Sequence, residues 1–324
     1  ASDLPESVCI SPMGIQADLA LTYFSEKHTD FNVFECGKGA KYDDVNNIRH
    51  DYAVMNRIFL EHTRELGDTL AAIAEDKSHV ITGEQKCVYF AEQEPEVLEV
   101  LQRRAETLHI PYKIYGRDFH AENIRYTCFG MQFDVEIGDN IYADLQIPLL
   151  GEHQAKNCAL ALAVCVDVLS DLRRESAVFS LPDIRKNLSL LHWPGRMEVL
   201  RSKPFVLLDA CINATSCENV KEVLRHLGVW NCTVIVGIPE DKDYAGVVRS
   251  MKGMANRIIL TRSGNPHYHF SQKQQETLAE EDIGTIWTDS VKQALTLAGS
   301  CPDPIVILGT TSVISEVEQI FQQS

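Results

Sequence analysis

Three polar side chains in the first quarter of the chain are spaced so that they could do chemistry together. Glu35 closes the apolar run FNVFEC (31–36), His62 follows YAVMNRIFL (52–60) in LEHTRELGD, and Lys77 ends the helical pattern AIAEDK. In open parallel sheets, ligands gather just beyond the carboxyl ends of strands. A carboxylate and a neutral imidazole can share one hard or borderline divalent ion, and a lysine beside them suits phosphate. The competing readings are structural: a capping or salt-bridging Glu35, a loop His62, and a solvated Lys77 at a helix end.

A second set lies further on. Asp209 ends FVLLDAC (205–211), where an acid can hold a ribose hydroxyl. Asp241, Lys242 and Asp243 follow CTVIVGI (232–238), and Thr261 and Arg262 end RIILTR (257–262). Arg196 sits in the turn WPGRME, in reach of a phosphate bound between domains. The GKG of VFECGKGAKYDDVN (33–46) looks like a phosphate cradle, but it lacks the trailing Ser or Thr. The pattern G-x-x-x-x-G-K-[ST] occurs nowhere in the 324 residues.

The elements that must position these groups read as alternating strands and helices. Strand-like runs 31–36, 52–60 and CVYFAE (87–92) alternate with helical spacing in DLALTYFSEK (18–27), 66–77 and PEVLEVLQRRAETLHI (95–110). In 66–77, Leu66, Leu70, Ile73 and Ala74 share one face. This is the βαβ rhythm of a parallel sheet covered by helices. Residues 124–148 alternate around a GDN turn, predicting an antiparallel hairpin, and HQAKNCALALAVCVDVLSDL (153–172) predicts a long buried helix. WPG breaks the chain near 194, after which four further βα units predict a Rossmann-like, doubly wound domain. The fold class is α/β: a central parallel-sheet domain with an antiparallel hairpin over 1–193, then the Rossmann-like domain over 194–324.

Composition narrows the function. Hydrophobic residues at 45% and charged ones at 23% are ordinary for a folded chain. A net charge of −16 argues against sequence-independent nucleic-acid binding, which needs a basic footprint. The 10 cysteines form no CxxC, so neither a zinc ribbon nor a thioredoxin-like motif is indicated. A reduced cytoplasmic protein is expected, with Cys158 and Cys165 as small core residues. No stretch approaches the roughly 20 apolar residues of a membrane span, and no secretory signal opens the chain. The start, ASDLPESVCISPMG, lacks an initiator Met, which suggests processing or a beginning inside a longer reading frame.

Taken in order, the segments SP (11–12), ECGKGAKYDDVN (35–46), LEHTRELGDTLAAIAEDK (60–77), GEHQAKNCALALA (151–163), HWPGRMEVL (192–200), LDACINA (208–214), VGIPEDKD (236–243) and LTRSGNP (260–266) resemble the family of Mur ligases and folylpolyglutamate synthases, on the folylpolyglutamate synthase branch. The resemblance runs over nearly the whole chain. It implies a central Mur-ligase-like ATPase domain followed by a Rossmann-like ligase domain. It also implies that ATP and Mg2+ activate a small-molecule carboxylate as an acyl phosphate, which an amino acid attacks to form an amide.

By the same resemblance, Glu35 and His62 would hold Mg2+, and Lys77 matches a position that family members often carbamylate. His62, Lys77 and Arg196 would serve catalysis, with Arg196 touching phosphate. Asn157, Asp209 and Lys242 would contact the nucleotide. Departures accompany the matches. The family's phosphate loop precedes SP, where only ten residues stand here. Its Gly-Leu-Gly-Gly turn is GKGA, which makes Lys38 an unusual charge, and the long loop that usually follows SP is nearly absent. The aspartate before the metal histidine is Glu61, and the His-Asn pair after the ribose aspartate is Ile212-Asn213.

Two function classes stay open on these residues. One is an ATP-dependent amide ligase whose phosphate loop lies upstream or is divergent. The other is a non-catalytic relative that keeps the fold as a binding or scaffold subunit, with a partner subunit. A dehydrogenase would need G-x-G-x-x-G after a strand, and none is present.

Overall fold

The computed structural model describes residues 11–127, 130–171 and 180–323. Cys9, Cys128 and the SAVF stretch (176–179) lie outside the described residues. The chain forms two compact units: Ala1–His120 with Glu136–Asn140 and Asn157–Arg174, and Ala121–Val135 with Ile141–Lys156 and Glu175–Ser324.

In the first unit, α1 (Pro12–Lys27) begins where the Ser11 hydroxyl accepts the Gly14 N–H at 3.0 Å, with Pro12 in the first turn. Both residues suit a helix start, because Ser fills an orphan donor and Pro has none to lose. Strands β1 (Tyr52–Met55), β2 (Cys87–Phe90) and β3 (Tyr112–Ile114) form a parallel sheet in the order β1-β2-β3. A short helix α2 (Thr63–Leu66) and α3 (Leu70–Lys77) lie between β1 and β2, and α4 (Pro95–Thr107) between β2 and β3. Ile73, Ala74, Val88, Phe90, Val97 and Leu101 close the core.

The strands β4 (Phe119–Thr127), β5 (Gly130–Ile137) and β6 (Asn140–Ile147) make a three-stranded sheet in that order, most of it in the second unit. The GDN turn at 138–140 joins β5 to β6, with Gly138 at φ 56°, a conformation glycine adopts without strain. Helix α5 (Glu152–Asp171) follows. Within the first unit, its Asp167 accepts the Tyr89 hydroxyl at 2.5 Å and pairs with Lys113 at 2.6 Å, clasping the helix to the parallel sheet.

After α6 (Leu181–Leu188), the second unit holds a six-stranded sheet. Its strands are β7 (Glu198–Ser202), β8 (Phe205–Asp209), β9 (Cys232–Gly237), β10 (Ala255–Leu260), β11 (Ile286–Trp287) and β12 (Ile305–Gly309), in the order β11-β10-β9-β12-β8-β7. All pairs are parallel except β7–β8. Helices α7 (Ala214–His226), α8 (Tyr244–Met251), α9 (Lys273–Glu280), α10 (Val291–Ala298) and α11 (Thr311–Gln322) cover it. β8, β9 and β12 are buried over nearly their whole length, as a parallel sheet with helices on both faces requires. β12 inserts between β8 and β9, so the ends of these three strands meet. A Cβ on Gly309 would stand 2.7 Å from the Gly237 carbonyl oxygen.

Several sequence expectations need correction. Residues 31–36 form no strand, and Phe31, Val33 and Glu35 are exposed; an apolar run becomes a strand only where a ladder partner is available. The strand expected over 52–60 stops at Met55, and the helix expected over 66–77 starts at Leu70, where the Thr69 hydroxyl caps it. The hairpin has a third strand, and β7, α9 and β11 add to the elements expected of the second half. Cys165 is exposed rather than in the core, whereas Cys158 is buried.

Candidate functional site

The glycine turn of the first unit is built by carboxylates. Asp43 accepts the Gly37 N–H at 2.7 Å, and Asp76 accepts the Ala40 N–H at 2.9 Å and the Lys41 N–H at 3.5 Å. A Cβ on Gly39 would stand 2.1 Å from the Asp76 Oδ1 and 2.9 Å from the Leu66 Cδ2, so any larger residue must displace both side chains. Three amides of this turn are therefore already occupied by protein anions, and the turn is no phosphate cradle.

That turn supports a polar cluster. Lys77, at the end of α3, donates to the Lys38 carbonyl at 3.0 Å and to Glu61 Oε1 at 3.0 Å. The other oxygen of Glu61 lies 3.9 Å from His62 Nε2. His62 has left-handed backbone (φ 49°) and its carbonyl accepts the amides of Glu65 and Leu66 at the start of α2. Lys38 pairs with Glu65 at 2.9 Å, which holds that carboxyl below its usual range. Burial pushes the Cys36 thiol up to about 11, with Asp43 adding to the rise and Lys77 opposing it. The structure thus joins His62 and Lys77 through Glu61, whose role was not legible in the sequence. Glu35 is exposed, and its carboxylate makes no hydrogen bond or ion pair among the described residues.

In the second unit, Asp209 ends β8 almost fully buried and accepts the Met197 N–H at 2.9 Å. Burial pushes its carboxyl up to about 6, against the Met197 amide and the Arg196 charge. Arg196 is exposed and also faces His153, whose imidazole is pushed down to about 4 by burial and then by Arg196 and Lys156. Asp209, Arg196 and His153 are therefore electrostatic neighbours, and sequence reasoning missed His153 in the motif GEHQAKN because nothing in its spacing marks burial. Gly195 is fixed by its positive φ of 64° and by Ile314, 2.4 Å from a would-be Cβ.

Lys242 lies 4.0 Å from Asp241 and is about one third exposed. Asp243 works for the fold, since its carboxylate caps α8 through the Gly246 N–H at 2.9 Å and takes the Ala214 N–H of α7 at 2.9 Å. Asn213 caps α7 through the Ser216 N–H at 2.8 Å. Asn157 lies in the second turn of α5. Arg262 is turned to Asp289, donating to its carbonyl at 3.1 Å, on the wall of a cleft of about 480 Å³.

Among the described residues, no helix is long and apolar enough to cross a membrane. Residues 9–165 match the Mur ligase middle domain. The chain is 27% identical to the folylpolyglutamate synthase of Lacticaseibacillus casei over 302 residues, covering 93% of this chain and 69% of that protein. It is 26% identical to the dihydrofolate synthase/folylpolyglutamate synthase of Bacillus subtilis over 311 residues, covering 94% of this chain and 71% of that protein. The fold matches the folylpolyglutamate synthase of Mycobacterium tuberculosis, solved with ADP and AMPPCP, at a TM-score of 0.87 and 23% identity, covering 98% of this chain and 74% of that one. The first half of the chain is thus similar to the Mur ligase middle domain, and folylpolyglutamate synthases align along more than nine tenths of its length.

Proposed function

We propose that this chain carries out the ATP-dependent formation of an amide between a small-molecule carboxylate and an amino acid, as a ligase of the folylpolyglutamate synthase type. The observation that carries this reading is the cluster of Glu61, His62 and Lys77 on the glycine turn, inside the segment matched by the Mur ligase middle domain. The functional division falls at 193/194, between an ATPase-like domain and a ligase domain.

The reaction transfers the γ-phosphoryl of ATP to the substrate carboxylate, releasing ADP and leaving an acyl phosphate. The amine then attacks the acyl carbon, phosphate leaves, and the amide forms. Such phosphoryl transfer needs positioning and charge stabilisation more than covalent help. Beside the glycine turn, a carboxylate oxygen of Glu61 stands 3.9 Å from the imidazole nitrogen of His62, so oxygen and nitrogen donors that suit a divalent ion are gathered in this part of the first unit. Glu35 and His62 would hold Mg2+, which when bound neutralises developing phosphate charge. Lys77 offers an ammonium to phosphate oxygens and Arg196 a guanidinium, whose planar fork suits a phosphate edge. Asn157 and Lys242 would contact the nucleotide. Asp209, whose carboxylate already accepts the Met197 amide, would accept a hydrogen bond from a ribose hydroxyl.

The test is calorimetric titration with ATP and Mg2+, paired with phosphate release in the presence of a pteroate-like acid and glutamate. The reading expects saturable nucleotide binding that Glu35→Ala abolishes, and release that requires both co-substrates. Binding without any co-substrate-dependent release would favour a scaffold role, and absence of binding would sink the ligase.

A further inference from the structure

We propose that His120, Glu122 and Glu136 form a cation site on the outer face of the β4–β5 strand pair, taking Zn2+ or a similar borderline divalent ion. The site is separate from the cluster of Glu61, His62 and Lys77 and does not depend on the ligase reading.

The strand ladder brings the three residues together. The Gly138 N–H donates to the Asp118 carbonyl at 3.1 Å, so two steps along β4 and two back along β5 set His120 opposite Glu136. Met131, Phe133, Val135 and Ile137 of β5 are buried, which turns Glu136 outward. Phe119 of β4 is buried too, which turns His120 and Glu122 to the outer face. Side chains directly opposite on one face have Cβ atoms about 5 Å apart, and neighbours two along a strand follow at roughly 7 Å, within the reach of glutamate.

One ligand atom from each residue lies within 4.8 Å of one from each of the others. His120 Nε2 and Glu136 Oε2 stand 3.6 Å apart, longer than a hydrogen bond. That spacing is close to the roughly 3.4 Å between two ligands of a tetrahedral zinc ion. Among the described residues, no amide or side chain hydrogen-bonds the carboxylate of Glu122 or Glu136. The next outward carboxylate of β5, Asp134, is by contrast taken up by Asn123 and by the Asp144 amide, each at 2.7 Å. One imidazole and two carboxylates without a thiolate suit a borderline ion, and the two negative charges balance it. All three residues are partly buried, and three protein ligands leave a fourth position to water.

Calorimetric titration of the full chain with Zn2+ in excess Mg2+ tests this, alongside thermal melts with and without Zn2+. Saturable binding that raises the melting midpoint is expected of the wild type. His120→Ala, Glu122→Gln and Glu136→Gln should each weaken it at least about tenfold, as removal of even an outer partner of a metal ligand does. The same three variants should lose the Zn2+-dependent rise in midpoint, and their melts without Zn2+ show that they are folded. His62→Ala should keep both the binding and the rise. Binding unchanged in His120→Ala or Glu136→Gln overturns the proposal, as does binding lost in His62→Ala but kept in His120→Ala. A wild-type chain that shows no saturable Zn2+ binding overturns it as well.

Discussion

Asp76 Oδ1 accepts the Ala40 N–H at 2.9 Å across 36 positions of sequence, and with the Asp43 contact to the Gly37 N–H it sets the glycine turn beneath the Lys77 cluster. Ala40 is buried, so its amide has no water to fall back on. Asp76→Ala should cost about 1–3 kcal/mol in urea unfolding, the penalty of an unsatisfied buried donor. Gly39→Ala should cost a similar amount, because its Cβ would stand 2.1 Å from the same carboxylate. A silent Gly39→Ala would show that the turn is not locked in this form.

Asp243 serves two helices, and its loss should be felt at both. Asp243→Ala strands the amides of Gly246 and Ala214, each held at 2.9 Å. One lost cap costs about 1 kcal/mol, so a total near ~2 kcal/mol is expected. Hydrogen exchange should quicken in the first turns of both α7 and α8. Quickening in α8 alone would place Asp243 outside α7.

Asp209 and His153 give stability opposing pH dependences. The Asp209 carboxyl is raised from 3.8 to about 6, so the folded state binds the extra proton. Its contribution is fully present below pH 3.8 and is lost as pH rises through 6, amounting to about 3 kcal/mol. His153 is lowered from 6.5 to about 4, so its contribution is present above pH 6.5 and is lost as pH falls through 4. Asp209→Asn should therefore gain stability relative to wild type as pH rises from about 4 to about 7. His153→Gln should gain it as pH falls over the same window. Denaturant midpoints of the three proteins at several pH values check both slopes, and parallel curves would contradict the assigned burial.

Gly309 marks the closest approach of strand ends in the second unit. Gly309→Ala would put a methyl 2.7 Å from the Gly237 carbonyl oxygen and 3.1 Å from Val313. The β12 end cannot retreat without breaking its ladder with β9, in which Gly309 pairs with Gly237. A loss of about 1–3 kcal/mol is expected by chemical denaturation, and a neutral substitution would mean that the strand end is mobile.

The sequence by itself determined the α/β alternation, the long helix α5 and the GDN turn, because these follow from local period and backbone preference, whereas it placed the first helix over 18–27 and left its start at Pro12 unread. It also marked Asp209, Arg196 and Lys77 as groups to watch, since each sits at the end of an apolar or helical pattern or at a chain break. It could not decide that 31–36 stays out of the sheet, because an apolar run becomes a strand only where another strand offers a ladder. Nor could it decide that Glu61 joins His62 to Lys77 or that Asp76 fills the glycine turn. Those contacts span 16 and 36 positions, and only the tertiary structure brings such distant carboxylates and donors within hydrogen-bond reach.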